Sequence, residues 1–243
     1  MNLIKLDAID STNDFLKLLN RNQELENYTV VTAQNQTNGK GQMGNSWISE
    51  SGKNLIMSIL IKDVLCNINQ IFDLNVALSL AVFQALENFL IPNLSIKWSN
   101  DIMSDSKKIG GILIENSFKS NTKIESVVGI GLNVNQIDFS ELPNASSLSN
   151  IMKRDFNLDD LIASIYQQIK ENSKLISSNK TDILWENYLS KLFKINVPMA
   201  FEDANKNRFM GIINTVTRDG KLQIILEDDA VKHFKIKEIT MLY

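Results

Sequence analysis

The chain has 243 residues, 44% of them hydrophobic, enough for one substantial core and a small appended domain. Its net charge of −3, with charged residues spread along the chain rather than in blocks, argues against wholesale disorder and against a strong positive field for nucleic acid. A single cysteine, Cys66, and a single histidine, His233, exclude an internal disulfide framework and a zinc site built from several Cys and His ligands, and suit a reducing, cytoplasmic compartment.

Met1 to Asp10 alternates charged and apolar side chains without a signal-peptide core, and no apolar run approaches the ~20 residues needed to span a bilayer. Ser11-Thr12-Asn13-Asp14 precedes Phe15, Leu16, Leu18 and Leu19, which predicts an N-capped first helix. A short strand follows over 28–33, then a polar, glycine-bearing stretch over 34–47 that predicts a long ordered loop, then a strand over 54–61. Apolar residues at helical spacing mark 68–90, a strand marks 94–98, and a polar turn leads to two strand-like runs at 108–118 and 123–135. Asn157 caps an amphipathic helix carrying Leu158, Leu161, Ile162, Ile165 and Ile169, and a further helix is predicted over 181–190. After Lys191 the pattern becomes short strands at 195–201, 208–217, 221–226 and 231–236 with polar turns, which predicts a small β-barrel. The expected division is therefore 1–192 and 193–243. His233 falls in the last of these strands and reads as a structural or surface residue.

Four stretches could carry chemistry. Gly39, Gly41 and Gly44 satisfy G-x-G-x-x-G, but Trp47 to Gly52 is poor helix, so no helix N-terminus would receive a pyrophosphate. What remains is a loop whose backbone N–H groups can converge on an anion beside the charge of Lys40. Lys97-Trp98-Ser99-Asn100-Asp101 places a cation, an aromatic and two Asx groups where a strand meets a turn. Lys108 opens a strand containing Gly110 and Gly111, a pair that asks for a bulge or a closely approaching ligand. In Gly129-Ile130-Gly131-Leu132-Asn133, alternation leaves one strand face nearly bare, with Asn133 on the same side.

Together with Asp10-Ser11-Thr12-Asn13, these blocks, in this order and at these distances, resemble the biotin protein ligase family. The resemblance covers roughly residues 5 to 240. It implies an α+β fold: a mixed β-sheet with flanking helices, of the class II aminoacyl-tRNA synthetase and biotin ligase type, followed by a small all-β barrel similar to Src-homology-3 domains. It implies ATP-dependent activation of biotin as biotinyl-5′-AMP, with Mg²⁺, and transfer to a lysine of a biotin carboxyl carrier protein. By that resemblance Ser11, Thr12, Asn13 and Gln36 bind biotin, and Gly39, Lys40 and Gly41 close over the carboxylate and the α-phosphate, with Trp47 ending the loop. Lys108 lies against the same reacting oxygens, and Gly110 and Gly111 let the backbone approach. Trp98, Asn100 and Asn133 line the nucleotide side, Lys97 is a further binding residue, and Asp101 helps deprotonate the acceptor amine. No resident metal ligands are identified.

The chain departs from the family pattern in places. Ser99 replaces a proline, which predicts a looser turn. Lys40, Gln42 and Asn45 stand where many relatives place arginines; lysine keeps charge but loses bidentate geometry. Nothing before Asp10 suggests a helix-turn-helix, so no DNA binding is expected, and a homodimer is allowed. The alternatives are a lipoate or octanoate ligase or transferase, for which Cys66 looks inert after its strand, and a non-catalytic biotin-binding protein.

Overall fold

The computed structural model describes residues 1–65, 67–119 and 124–243; Cys66 and Lys123 therefore lie outside the described residues, as does any expectation about them. A seven-stranded sheet is built from β1 (Leu3–Ile9), β2 (Val30–Gln36), β3 (Leu55–Ile61), β4 (Leu94–Lys97), β5 (Asp101–Ser104), β6 (Lys107–Phe118) and β7 (Ile124–Leu132). Its spatial order is β1-β2-β3-β7-β6-β5-β4, with β1 and β2 parallel and the other pairs antiparallel. Helices α1 (Thr12–Asn22), α2 (Ile71–Asn88), α3 (Leu148–Met152), α4 (Leu158–Ser177) and α5 (Thr181–Ser190) accompany it.

The interior strand β3, flanked by β2 and β7, is buried at every position. Side chains alternate across a strand, and the cores divide accordingly. Val30, Ile59 and Val128 join the large core that includes α2 and α4, whereas Val31, Leu60 and Val127 pack with Leu16 of α1 on the opposite face. The first helix starts as the sequence predicts: the Ser11 hydroxyl accepts from the Asp14 N–H at 3.4 Å. Asn157 likewise caps α4 by accepting from the Asp159 N–H at 2.8 Å.

A second, all-antiparallel sheet follows, of β8 (Pro198–Asp203), β9 (Arg208–Val216), β10 (Leu222–Leu226), β11 (Val231–Phe234) and β12 (Ile239–Leu242), in the order β11-β10-β9-β8-β12. The rings of Phe201, Phe209 and Phe234 stack within it at centroid separations of 5.5 and 5.7 Å. Two neighbouring residues of the large sheet's edge touch this unit. The Trp98 indole N–H donates to the Gly220 carbonyl at 3.0 Å, and the Lys97 ammonium lies 3.1 Å from the Tyr243 hydroxyl.

The structure corrects several sequence expectations. Gln34 to Gln36 complete β2 rather than begin a loop, because pairing with β1 continues to Gln36. The polar turn expected after residue 98 contains β5, whose four residues pair with both β4 and β6. β1, α3 and β12 appear where no element was expected, and β7 ends at Leu132 rather than at Asn135. The Ser99 turn is not loose. Ser99 is buried, and its carbonyl accepts from the Asn75 amide at 2.8 Å and the Tyr188 hydroxyl at 3.4 Å. Its own hydroxyl bonds Gln42 and Asn100. The Trp98–Ser99 peptide is cis.

Candidate active site

α1 covers only part of its face of the sheet. Beyond Leu60 and Val127 the next rows on that face are Ser58 opposite Gly129, then Ile56, Gly131, Gly111 and Asp101 in register across four strands. With glycine at three of these positions the sheet is bare backbone there, and a cavity of about 510 Å³ opens over it. The alternation of glycines legible in the sequence is thus the floor of a cavity. The Trp47 indole lies over Gly131, so closely that a β-carbon at that position would overlap its ring. Its indole N–H is buried without a hydrogen-bond partner among the described residues.

The N-terminus of α1 forms one wall. Thr12 donates to the Gln36 side-chain oxygen through its backbone N–H at 2.8 Å and its hydroxyl at 3.0 Å. The Ser58 hydroxyl donates towards Asn13 Oδ1 at 2.6 Å and Thr12 Oγ1 at 2.8 Å, one proton shared between two acceptors. Asn13 passes its amide to Glu115 at 2.8 Å. Ser11, Thr12, Asn13 and Gln36 therefore form one polar constellation, pinned from β3 and β6.

The glycine-rich loop forms the lid. Lys40 bridges to Ser46, the Gly41 N–H donates to Asn45 at 2.6 Å, and the Trp47 N–H donates to Gly39 at 2.9 Å. A single turn of 3-10 helix over Gln42–Gly44 makes its tip. Lys40, Gly41 and Trp47 line the cavity, whereas Gly39 does not. A β-carbon on Gly39 would run into the Trp47 carbonyl, so that glycine serves the close return of the loop.

Opposite stands Lys108, whose ammonium is 2.6 Å from Asp101 Oδ1 and 5.9 Å from the Trp47 ring. Its backbone is clamped by the segment 144–146, the N–H donating to Asn144 at 2.8 Å and the carbonyl accepting from Ser146 at 3.0 Å. The sheet register shifts between Ile102 and Met103 opposite this site, the bulge that the two glycines asked for. Gly111 lines the cavity; Gly110 does not, its α-carbon facing the Gly131 carbonyl instead.

Lys97, Trp98 and Asn100 line the other end, the Asn100 amide being spent on the Ile112 carbonyl. Asn133 lies outside the lining. The strand has ended by then, and its buried amide donates to Ser146 at 3.0 Å. Sequence reasoning missed the wall contributed by Ile239 and Met241 of β12 and by Ile236 of the turn that precedes it. No local pattern marks them. Ser58, which braces Thr12 and Asn13, could have been found as the one polar side chain inside an otherwise apolar strand. Exposed His233 lies outside the lining.

Charge gathers beside the lid. Asp14 is 2.7 Å from the Lys17 ammonium and 2.5 Å from that of Lys40. Burial pushes the Asp14 carboxyl up, but the two ammoniums outweigh it and hold the group below its ordinary range. Burial pushes the Lys17 amine down, and the carboxylates of Asp14 and Glu115 more than reverse it. Among the described residues no three His, Cys, Asp or Glu side chains gather as a metal cage, and no helix is long and apolar enough to cross a membrane.

Comparison with known proteins agrees with this geometry. Residues 6–133 match the family model of the biotin/lipoate A/B protein ligases. The chain is 34% identical over 134 residues to the bifunctional ligase/repressor BirA of Bacillus spizizenii, covering 55% of this chain but only 41% of that protein. It is 26% identical to BirA of Escherichia coli across 97% of this chain and 73% of that one. A biotin protein ligase from Aquifex aeolicus, solved with biotin and ATP, superposes with a TM-score of 0.81 at 27% identity, covering 99% and 98% of the two chains. With the family model spanning more than half its length and the same fold along nearly all of it, the chain belongs to the biotin/lipoate A/B protein ligase family.

Proposed function

We propose that this chain is an ATP-dependent ligase that activates biotin as biotinyl-5′-AMP and transfers it to a lysine of a biotin carboxyl carrier protein. The observation that carries the reading is one cavity in which two lysines, Lys40 and Lys108, face a bare-backbone floor beside the polar Thr12–Gln36 wall. The likeness to the Aquifex aeolicus enzyme, solved with biotin and ATP, supports it.

Adenylation needs no general base, since the attacking carboxylate is already an anion. One carboxylate oxygen bonds to the α-phosphorus, the bond to the bridging α–β oxygen breaks, and pyrophosphate leaves. The protein's task is to align two anions and offset the charge growing on the phosphate oxygens, which Lys40, Lys108 and loop N–H groups do. Asp101 orients Lys108 through Oδ1. In the second step the carrier amine bonds to the acyl carbon, the acyl–phosphate oxygen bond breaks, and AMP leaves. The amine's proton is given up to Asp101 in this scheme.

Ser11, Thr12, Asn13 and Gln36 are assigned to the ring end of biotin, with the unpartnered Trp47 N–H as a further donor. Trp98, Lys97 and Asn100 are assigned to the nucleotide. Gly39, Gly110 and Asn133 act behind the lining, by shaping it. Mg²⁺ bound with the nucleotide would help offset charge on the phosphates, beside Lys40 and Lys108.

The test is ATP–pyrophosphate exchange with biotin, lipoate or octanoate. Exchange with biotin alone is expected. Exchange with a fatty acid alone would move the chain to the lipoate branch, and silence with all three would leave only a binding role.

A further inference from the structure

Lysine presents a point charge on a flexible stem, whereas the arginines common at this loop position in the family present a planar fork that orients itself. Lys40 therefore needs something to aim it. The loop fixes its backbone, through the bridge to Ser46 and the Gly41–Asn45 hydrogen bond, but not its side chain. We infer that Asp14, which does not itself line the cavity, is the positioning residue that aims Lys40 at the reacting phosphate. This rests on the assignment of Lys40 to the adenylate.

The geometry is that of a braced clasp. Asp14 Oδ2 takes Lys40, and Oδ1 takes Lys17 from one turn further along α1. Lys17 reaches on to Glu115 Oε1 at 2.8 Å, and Glu115 Oε2 holds Asn13, which Ser58 fixes to the sheet. The carboxylate that aims Lys40 is thus tied to β3 and β6 through charged and polar groups at every step. The arrangement also allows release. When Lys40 turns to a phosphate, Asp14 keeps Lys17, shared with Glu115, as an ion-pair partner, so the carboxylate is not left unpaired. A carboxylate with one cation would hold that cation harder and compete with the substrate.

The experiment reads the clasp without activity and then with it. Trypsin cuts after lysine, and freeing the Lys40 side chain should expose the Lys40–Gly41 bond in ligand-free protein. Asp14→Asn keeps the shape of the side chain and removes its charge. Cleavage after Lys40 is expected to rise about fivefold, with cleavage after exposed Lys53 unchanged as the internal control. In biotin-dependent exchange, kcat is expected to fall about tenfold with little change in KM for biotin, and Asp14→Glu to recover most of it. Lys17→Gln separates a clasp from general damage to α1. It leaves Lys40 as the clasp's only ammonium, so cleavage there should stay at or below the wild-type rate.

Unchanged cleavage at Lys40 in Asp14→Asn, or equal acceleration in Asp14→Asn and Lys17→Gln, would overturn the clasp. Faster cleavage with an unchanged kcat would overturn the positioning role. Absence of exchange in every protein, wild type included, would sink the ligase reading, and the cleavage pattern would still decide the clasp.

Discussion

Replacing Gly131 by alanine tests whether the bare floor of the cavity is functional or merely a thin strand. A β-carbon built there would stand 2.6 Å from Trp47 Cζ2 and 2.9 Å from Cδ2, against about 3.5–4.0 Å for carbons in comfortable contact. The indole must withdraw by roughly 1 Å, and it can, because it ends a loop rather than a core strand. A displacement of that size in a group that positions the substrate costs on the order of 10²-fold in rate even away from the reacting atoms. The fold should not suffer. Glycine in a strand interior is about 0.5–1 kcal/mol less stable than alanine, which offsets much of the indole's lost packing. The expected outcome is biotin-dependent exchange reduced about 10²-fold with a melting temperature within about 3 °C of wild type. Exchange within about twofold of wild type would show that Trp47 does not need its seat on the strand, and would refute the reasoning. Gly129→Ala is the contrast. Its β-carbon would meet Asn13 Oδ1 at 2.7 Å, and Asn13 is buried and held by Ser58 and Glu115, so that variant should lose stability as well as exchange.

Three further outcomes are expected. Lys108→Ala should lower exchange by at least about 10²-fold while changing the urea midpoint little, since the side chain is part-exposed and its pair with Asp101 lies near the surface; near-normal exchange would remove Lys108 from the chemistry. Leu16→Ala, at a fully buried position between α1 and the sheet, should destabilise the chain by about 2–5 kcal/mol in urea unfolding and weaken biotin binding with it, because α1 carries Ser11 to Asn13. The stability gap between wild type and Asp14→Asn should depend on pH with a definite sign. Asp14 is held below its ordinary value of 3.8, so its contribution is present above that pH and is lost as pH falls through the lowered value. Lys17 is raised above 10.5, so its contribution is lost as pH rises beyond that. Melting temperatures across that range should therefore show a plateau with both ends falling, and a gap independent of pH would contradict the ion pairs.

Much of the site was legible because its chemistry is written in local patterns. The cap at Ser11, the glycines at alternate positions of β7, the adjacent Gly110 and Gly111, and the two lysines each announce a backbone or charge requirement within a few residues. The elements the sequence left unmarked share a different character. β5 is four residues long and β12 four, too short for a period to emerge, and each is a strand because a neighbour offers it a ladder. β1 is edge-paired to β2 alone, with a half-buried pattern that its alternation of charged and apolar side chains only hints at.

The sequence by itself determined the position of the long helices, the change to short strands after Lys191 and the glycine-bearing stretches, because periodicity, capping and glycine placement are properties of the chain next to itself. The α+β class and the main residues of the cavity were implied by its resemblance to the biotin protein ligase family. The tertiary structure alone decided which of those residues face one another. It set Asp14 against Lys40, put Asp101 in register with Gly111 and Gly131, turned Asn133 away to Ser146, and brought Ile239 and Met241 of the second sheet to the cavity wall. Those meetings depend on strand order and on where each strand stops, and strand order is fixed by burial of both sheet faces at once, a condition that no window of sequence contains.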